Sequence, residues 1–186
     1  MLSKCGTFIM EEIMKMKLIE SYMKCAEAFA ECSSAQRLKV GAIVVDPHTN
    51  AIISVGYNGT LPGQDNCCEY KVYMGTENVW LGKEIWLGKE TITDWPYSDN
   101  IGRRYKLVTK PDVLHAEENA ISKLAKSSIS SDGCYMFCTH SPCIQCARLM
   151  IAAGISRVYY KEQFRGGSIS CGIPLLKKLG IETRKV

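Results

Sequence analysis

Apolar residues recur at helical spacing over residues 10–32, with Ile13, Met16, Leu18, Ile19, Tyr22, Met23, Ala26 and Phe29 set among lysines and glutamates. The pattern predicts an amphipathic first helix that lays this stripe on a core, preceded by a loose leader of nine residues. A Met-rich stripe also suits a partner surface, but the unbranched thioether fills core gaps readily, and core is the simpler reading. Residues 40–45 are then a continuous apolar, β-branched run, closed by the turn-forming Asp46-Pro47-His48-Thr49-Asn50 and followed by a second such run over 51–57. Two strands about one turn predict a β-hairpin. Downstream the period changes repeatedly, giving a helix over 115–126, a strand over 134–138, a helix over 143–154, a strand over 157–161, a helix near 173–179 and a strand over 181–184. Strands alternating with helices of about ten residues predict a layered α/β sheet.

Between residues 62 and 113 no such pattern holds, and the stretch reads as an irregular insert. Inside it Trp80-Leu81-Gly82-Lys83-Glu84 recurs as Trp86-Leu87-Gly88-Lys89-Glu90. Two short copies are too few for a solenoid, and duplication within a tolerant surface segment explains them without a chemical role. A length of 186 residues suits one domain, 1–186, that carries the insert. With 46% hydrophobic and 23% charged residues the chain has an ordinary globular composition, which excludes wholesale disorder. The net charge of +4 is spread along the chain, which argues against a nucleic-acid-binding face but admits a small phosphorylated ligand. Ten cysteines in a chain of this size, with no secretory leader, point to a reducing, cytoplasmic setting rather than a disulfide scaffold. No run approaches about eighteen apolar residues, so no membrane span is predicted.

Chemistry enters with His115-Ala116-Glu117 and Pro142-Cys143-Ile144-Gln145-Cys146. One His and two Cys offer three ligands to a tetrahedral zinc and leave the fourth position open for water, the mark of a catalytic rather than a closed site. Pro142 stands just before the predicted third helix, so Cys143 and Cys146 fall in its first turn, where a spacing of three puts both sulfurs on one face. The positive end of that helix favours thiolates. His115 opens the second helix two residues ahead of Glu117, so ring and carboxylate approach one water from neighbouring directions. His-x-Glu followed by Pro-Cys-x-x-Cys is the pattern of zinc-dependent nucleobase deaminases, in which the Glu moves protons and is not a ligand. The expected chemistry is hydrolytic attack at an amidine-like ring carbon, with Glu117 passing the proton of water to the ring nitrogen and then to the departing amino group. Ala116 and residues 139–142, Ser141 and Pro142 among them, are expected to shape the base pocket. A thioredoxin-like pair would give no reason for the His-x-Glu. A purely structural zinc would ask for a fourth protein ligand, from His48, His140 or a spare cysteine.

The segments Val40-Gly41-Ala42, Gly56-Tyr57-Asn58-Gly59, Asn66-Cys67-Cys68-Glu69-Tyr70, His115-Ala116-Glu117-Glu118-Asn119-Ala120-Ile121 and Ser141-Pro142-Cys143-Ile144-Gln145-Cys146 occur in this order in deoxycytidylate (dCMP) deaminases. Over roughly residues 40–154 the chain resembles the bacteriophage members of that family. The resemblance implies a three-layer cytidine-deaminase-like fold, with a five-stranded mixed β-sheet flanked by helices. It implies conversion of dCMP and water to dUMP and ammonia in supply of thymidylate synthesis, and dCTP is a candidate further substrate because the triphosphate differs only beyond the atoms that react. Asn58 would then contact the deoxyribose, although Asn58-Gly59 is also a common tight-turn pair. Members of the family are commonly hexamers, activated by dCTP and inhibited by dTTP with Mg2+ accompanying the triphosphate, which would put Gly59 and Asp65 in an effector site. The 5′-phosphate calls for cations or amide donors, and Arg37 and Lys39 are the candidates, with Arg165 and Gly166-Gly167 as competitors. Phe164 either stacks on the base or makes plain apolar contact. Some relatives hold a second, structural zinc, but this chain has no histidine between His48 and His115, so one zinc per chain is expected. Cys32, Cys67 and Cys68 with a carboxylate are what remains for another. Two further readings stay open: a deaminase of another base, such as adenosine in tRNA, and a zinc-stabilised binding module without turnover.

Overall fold

Strands β1 (Gly41–Asp46) and β2 (Ala51–Tyr57) pair antiparallel, as the turn chemistry between them predicts. Asp46 accepts the His48 N–H at 2.9 Å and the Thr49 hydroxyl at 2.7 Å, and Asn50 takes the left-handed φ of 58° in the same turn. The computed structural model describes residues 4–74, 95–163 and 171–186. In it β6 (Tyr135–His140), β7 (Arg157–Glu162) and β8 (Glu182–Lys185) complete a five-stranded mixed sheet ordered β2-β1-β6-β7-β8. β6 lies antiparallel to β1, while β7 and β8 run parallel to β6. Parallel neighbours need crossovers, supplied here by α3 (Ile144–Ala152) and α4 (Ile173–Lys178).

The strand period of two sorts the core. Ala42, Val44, Met136, Cys138 and Val158 join the cluster built with α2 (Ala116–Leu124), α3 and α4. Ile43, Val45, Phe137 and Tyr159 point the other way, into the cluster built with α1 (Lys4–Ala30). The result is helix, sheet and helix in three layers. Phe137 and Tyr159 stack at 4.5 Å, and the Tyr22 hydroxyl donates to the Asn50 carbonyl at 2.8 Å, tying α1 to the hairpin turn.

Glycine sets how closely the helices approach the hairpin. A Cβ on Gly41 would lie 2.0 Å from the Ala26 carbonyl oxygen, and one on Gly56 would lie 2.1 Å from that of Ala116. The helix positions opposite, Ala26, Ala30, Ala116 and Ala120, are buried and carry only a methyl group. Backbone therefore meets backbone on both faces of the sheet, and the position of α2 follows directly from that of β2.

Two regions differ from expectation. The helical pattern starts at Lys4, so most of the predicted leader is part of α1. Its buried stripe is nevertheless shorter than the sequence spacing implies: Tyr22, Met23, Ala26 and Ala30 are buried, but Met16 and Leu18 are 46% and 39% exposed. Apolar spacing buries a residue only where something packs opposite it. The segment 62–113 is not irregular throughout, because β3 (Glu69–Tyr73), β4 (Tyr97–Ser98) and β5 (Arg104–Thr109) form a second, antiparallel sheet ordered β3-β5-β4. Glu69 stands opposite Thr109 and Tyr73 opposite Tyr105. Cations lie over its rings, Lys71 on Tyr105, Arg103 on Tyr73 and Lys110 on Tyr70, so these strands mix aromatic with basic residues instead of apolar with polar. A small apolar joint of Ala35, Cys68 and Val113 lies at the base of this sheet. The duplicated Trp-Leu-Gly-Lys-Glu segment lies outside the described residues. Among the described residues no helix is long and apolar enough to cross a membrane.

Candidate active site and metal centre

His115 is the N-cap of α2 and Cys143 the N-cap of α3, each with extended backbone. Both caps are tied down locally, since Glu118 accepts the His115 N–H at 2.9 Å and the Cys143 sulfur accepts the Cys146 N–H at 3.5 Å. The chain just before α4 braces the second cap. Gly172 donates its N–H to the Pro142 carbonyl at 2.8 Å, Cys171 pairs with Cys143 in an isolated β-bridge, and a Cβ on Gly172 would come 2.5 Å from the Cys143 carbonyl oxygen.

These caps bring three ligand atoms together. His115 Nδ1 lies 3.6 Å from Cys143 Sγ and 3.3 Å from Cys146 Sγ. A tetrahedral zinc with bonds of about 2.0 Å to nitrogen and about 2.3 Å to sulfur separates such ligands by about 3.5 Å. The set fits one metal ion as it stands, and among the described residues it is the cluster of His, Cys and acidic side chains close enough to hold one. Cys32, Cys67 and Cys68 are not gathered with it or with each other: Cys32 is exposed, Cys67 donates to the Glu69 carbonyl, and Cys68 contacts the Ser34 hydroxyl.

The protein's own protons show why a cation suits this position. The thiol of Cys143 is drawn down to about 4, first by the hydrogen bond from Cys146 and then by that from His115. The Cys146 thiol is pushed up, chiefly as the donor in that bond and further by burial. Hydrogen bonding to Cys143 raises the His115 imidazole to about 9. The three groups thus hold protons against one another across the same few ångströms, and a divalent cation at their centre would replace those protons. Glu117, in the first turn of α2, is 4% exposed, and burial raises its carboxyl to about 7. A carboxyl so placed exchanges protons near neutrality.

A cavity of about 310 Å³ joins these groups to more distant ones. His115, Ala116, Glu117, Ser141 and Cys143 line it together with His140, whose ring meets the Thr139 hydroxyl at 3.2 Å. Leu38, Val40 and Val113 give it an apolar wall, and Arg37, Asn58, Glu69 and Thr109 a polar one. Arg37 donates to the Thr109 hydroxyl at 3.1 Å. Asn58 bridges backbone, accepting the Val40 N–H at 2.8 Å and donating to the Leu38 carbonyl at 2.9 Å, so it holds the loop before β1 while lining the cavity. Pro142 is buried beside Cys143 and is not on the lining. Nor is Lys39, expected beside the phosphate: its ammonium is drawn to the end of α1, to the Glu31 carboxylate at 3.1 Å and carbonyl at 3.3 Å. Gly59 lines a second cavity, of about 680 Å³, whereas Asp65 lies off that lining and pairs with Lys110 at 3.2 Å. Phe164, Arg165 and Gly166-Gly167 lie outside the described residues.

Sequence reasoning did not single out Glu69, Thr109 or Val113, whereas His140 falls within the residues 139–142 expected to shape the pocket. Thr109 and Val113 fall at the end of the segment without periodicity, and Glu69 at the start of a strand that carries no hydrophobic alternation. The one available signal for Glu69 was its place in Asn66-Cys67-Cys68-Glu69-Tyr70.

An imidazole and two thiols spaced for a tetrahedral metal, with a buried carboxylate two residues from the imidazole, define on this scaffold the class of zinc-dependent nucleobase deaminases. The chain belongs to the cytidine and deoxycytidylate deaminase family, whose zinc-binding region matches residues 16–162. It is 39% identical to the dCMP deaminase of cyanophage S-TIM5, whose crystal structure in complex with dCMP and dUMP matches it with a TM-score of 0.66 over 90% of this chain and 95% of that one. The deoxycytidylate deaminase of enterobacteria phage T4 is 31% identical over 137 residues, 68% of each chain. ComE operon protein 2 of Bacillus subtilis is 30% identical over 144 residues, 77% of this chain, which spans 59% of that protein's length.

Proposed function

We propose that the chain catalyses hydrolytic deamination of dCMP to dUMP with release of ammonia, using one zinc held by His115, Cys143 and Cys146. The observation that carries the reading is Glu117, a buried carboxylate on the wall of the same small-ligand cavity that His115 and Cys143 line. When bound, zinc supplies Lewis-acid activation that makes water a nucleophile near neutral pH. The protein's part is placement and proton traffic. Glu117 takes a proton from the attacking water, delivers it to the ring nitrogen next to the reacting carbon, and then serves the amino group as it leaves. One water enters, the C–N bond breaks, a carbonyl forms, and ammonia departs with the protons balanced. Ala116 and Ser141 wall the base, Asn58 stands by the sugar, and Arg37 serves the 5′-phosphate. The relative solved with dCMP and dUMP supports the same assignment of ligand class.

The finer expectations belong to this proposal as well: acceptance of dCTP, a contact from Phe164, control by dCTP and dTTP with Mg2+, a hexameric assembly and a cytoplasmic location. What supports an effector site is the second cavity, where Gly59 shares the lining with Lys123 and Lys126, two cations suited to phosphates.

Ammonia release tests the reading. Zinc-quantified protein is offered dCMP, dCTP, deoxycytidine, CMP and a tRNA anticodon stem, each with and without dCTP or dTTP as effector. The expected result is turnover of dCMP above the others. Turnover of the tRNA stem alone, or of nothing despite bound zinc, overturns it.

A further inference from the structure

Glu69 opens β3 with a carboxylate that is 6% exposed, and no described lysine or arginine pairs with it. Its Oε1 accepts the backbone N–H groups of Gln36 at 3.0 Å and Arg37 at 3.1 Å, while its Oε2 accepts from no described residue. The Arg37 guanidinium, the natural partner, instead donates to Thr109, the residue directly opposite Glu69 on β5. Oε2 is not among the described buried oxygens that lack a partner, so it stays open to the cavity, where a bound ligand that displaces water must supply a donor in its place. Glu69 lines that cavity together with His115 and Glu117.

A cytosine nucleotide has few donors to offer. Its phosphate and ring carbonyl only accept, and both are repelled by a carboxylate. The amino group that is lost in the reaction belongs at the metal centre, beside Glu117. What remains is the sugar. We propose that Glu69 is a specificity residue whose Oε2 accepts a hydrogen bond from a hydroxyl of the furanose ring, the 3′-hydroxyl in a deoxynucleotide, so that the cavity reads the sugar as well as the base. The inference rests on the nucleotide-deaminase reading above. It gives Glu69 two tasks, since the oxygen that holds the Gln36-Arg37 backbone also holds the loop bearing the phosphate candidate.

The two tasks are separated by a cycle in which protein and substrate are each changed. Glu69→Gln keeps a carbonyl oxygen for the two backbone N–H groups and replaces the second oxygen with an amide. Wild type and variant are assayed with dCMP and with 2′,3′-dideoxycytidine 5′-monophosphate, which lacks the hydroxyl. A charge-assisted hydrogen bond predicts that kcat/KM of the wild type falls about tenfold or more on losing the hydroxyl, and that the variant discriminates by about threefold or less. Affinities for dUMP and 2′,3′-dideoxyuridine 5′-monophosphate, measured by calorimetry without turnover, should show the same pattern. If wild type and variant lose the same factor when the hydroxyl is removed, the proposal is overturned and Glu69 only braces the loop. Zinc-loaded wild type that turns over no dCMP overturns the underlying reading instead, and this inference with it.

Discussion

The large sheet and the small sheet each furnish one wall of the same cavity, and they do so by opposite means. Around the large sheet, backbone touches backbone: Gly56 leaves no room between β2 and the helix that His115 caps, and Gly172, ahead of α4, leaves none beside Cys143. On the small sheet, side chains reach across space: Glu69 and Thr109 hold the Arg37 loop through three hydrogen bonds. Metal and proton chemistry demands ligand positions good to a fraction of an ångström, and it sits on the rigid wall. Recognition of a sugar and a phosphate tolerates adjustable side chains, and the roles proposed for Glu69 and Arg37 would place it on the other.

The most severe break is to the rigid wall. Cys146→Ala removes a ligand and is expected to abolish both zinc retention and turnover, read by metal analysis beside the ammonia assay. On the proposed role of Glu117, which moves protons without binding metal, Glu117→Gln should lower kcat by about 10³-fold while zinc content stays at the wild-type value. Wild-type turnover in that variant would remove Glu117 from the chemistry. Next comes a paired test of backbone contact. Gly56→Ala drives a methyl group into the Ala116 carbonyl and is expected to cost about 3 kcal/mol of unfolding free energy and about 100-fold in kcat through displacement of α2. Gly102→Ala lies between β4 and β5, with φ of 82° and open space around it, and should cost about 1 kcal/mol while leaving zinc content and kcat alone. Equal losses of activity in the two would erase the distinction between the sheets.

Smaller effects sharpen the recognition side. Arg37→Ala is expected to raise KM for dCMP about 30-fold with kcat little changed, the size of a lost charge-assisted contact. Lys39→Ala, which breaks only an exposed pair with Glu31, should shift stability by less than about 0.5 kcal/mol and leave KM alone. A reversal of these two outcomes would move the phosphate to the other side of Leu38.

The two walls also differ in how far the sequence discloses them. The hairpin, both ligand-bearing helices and the parallel strands were legible because each carries its period and its punctuation: β-branched runs, a turn of Asp, Pro and Asn, and Pro142 ahead of a helix. His115 and Cys143 fall at the caps, one residue outside helices whose periodicity had included them. The small sheet was not legible. Its aromatic residues pack under cations rather than under an apolar layer, and β4 has two residues, too few for any period to register. Lys39 shows a further limit. Adjacency in sequence put it beside Arg37, but the end of α1 supplies a carboxylate and a carbonyl that draw its ammonium away from the cavity.

The brace that Gly172 and Cys171 place on Cys143 bears on how the protein is made. Synthesis is vectorial, so His115, Cys143 and Cys146 all leave the ribosome before the residues that brace them. A nascent chain that has just exposed Cys146 owns every zinc ligand, but neither the Gly172-to-Pro142 hydrogen bond nor β7 alongside β6. Zinc captured then should exchange quickly, and docking of residues 171–172 should convert it to a long-lived form. Nascent chains stalled before Cys171 has emerged are expected to surrender zinc to a chelator faster than finished ones, and equal rates would show that the brace plays no part in retaining the metal.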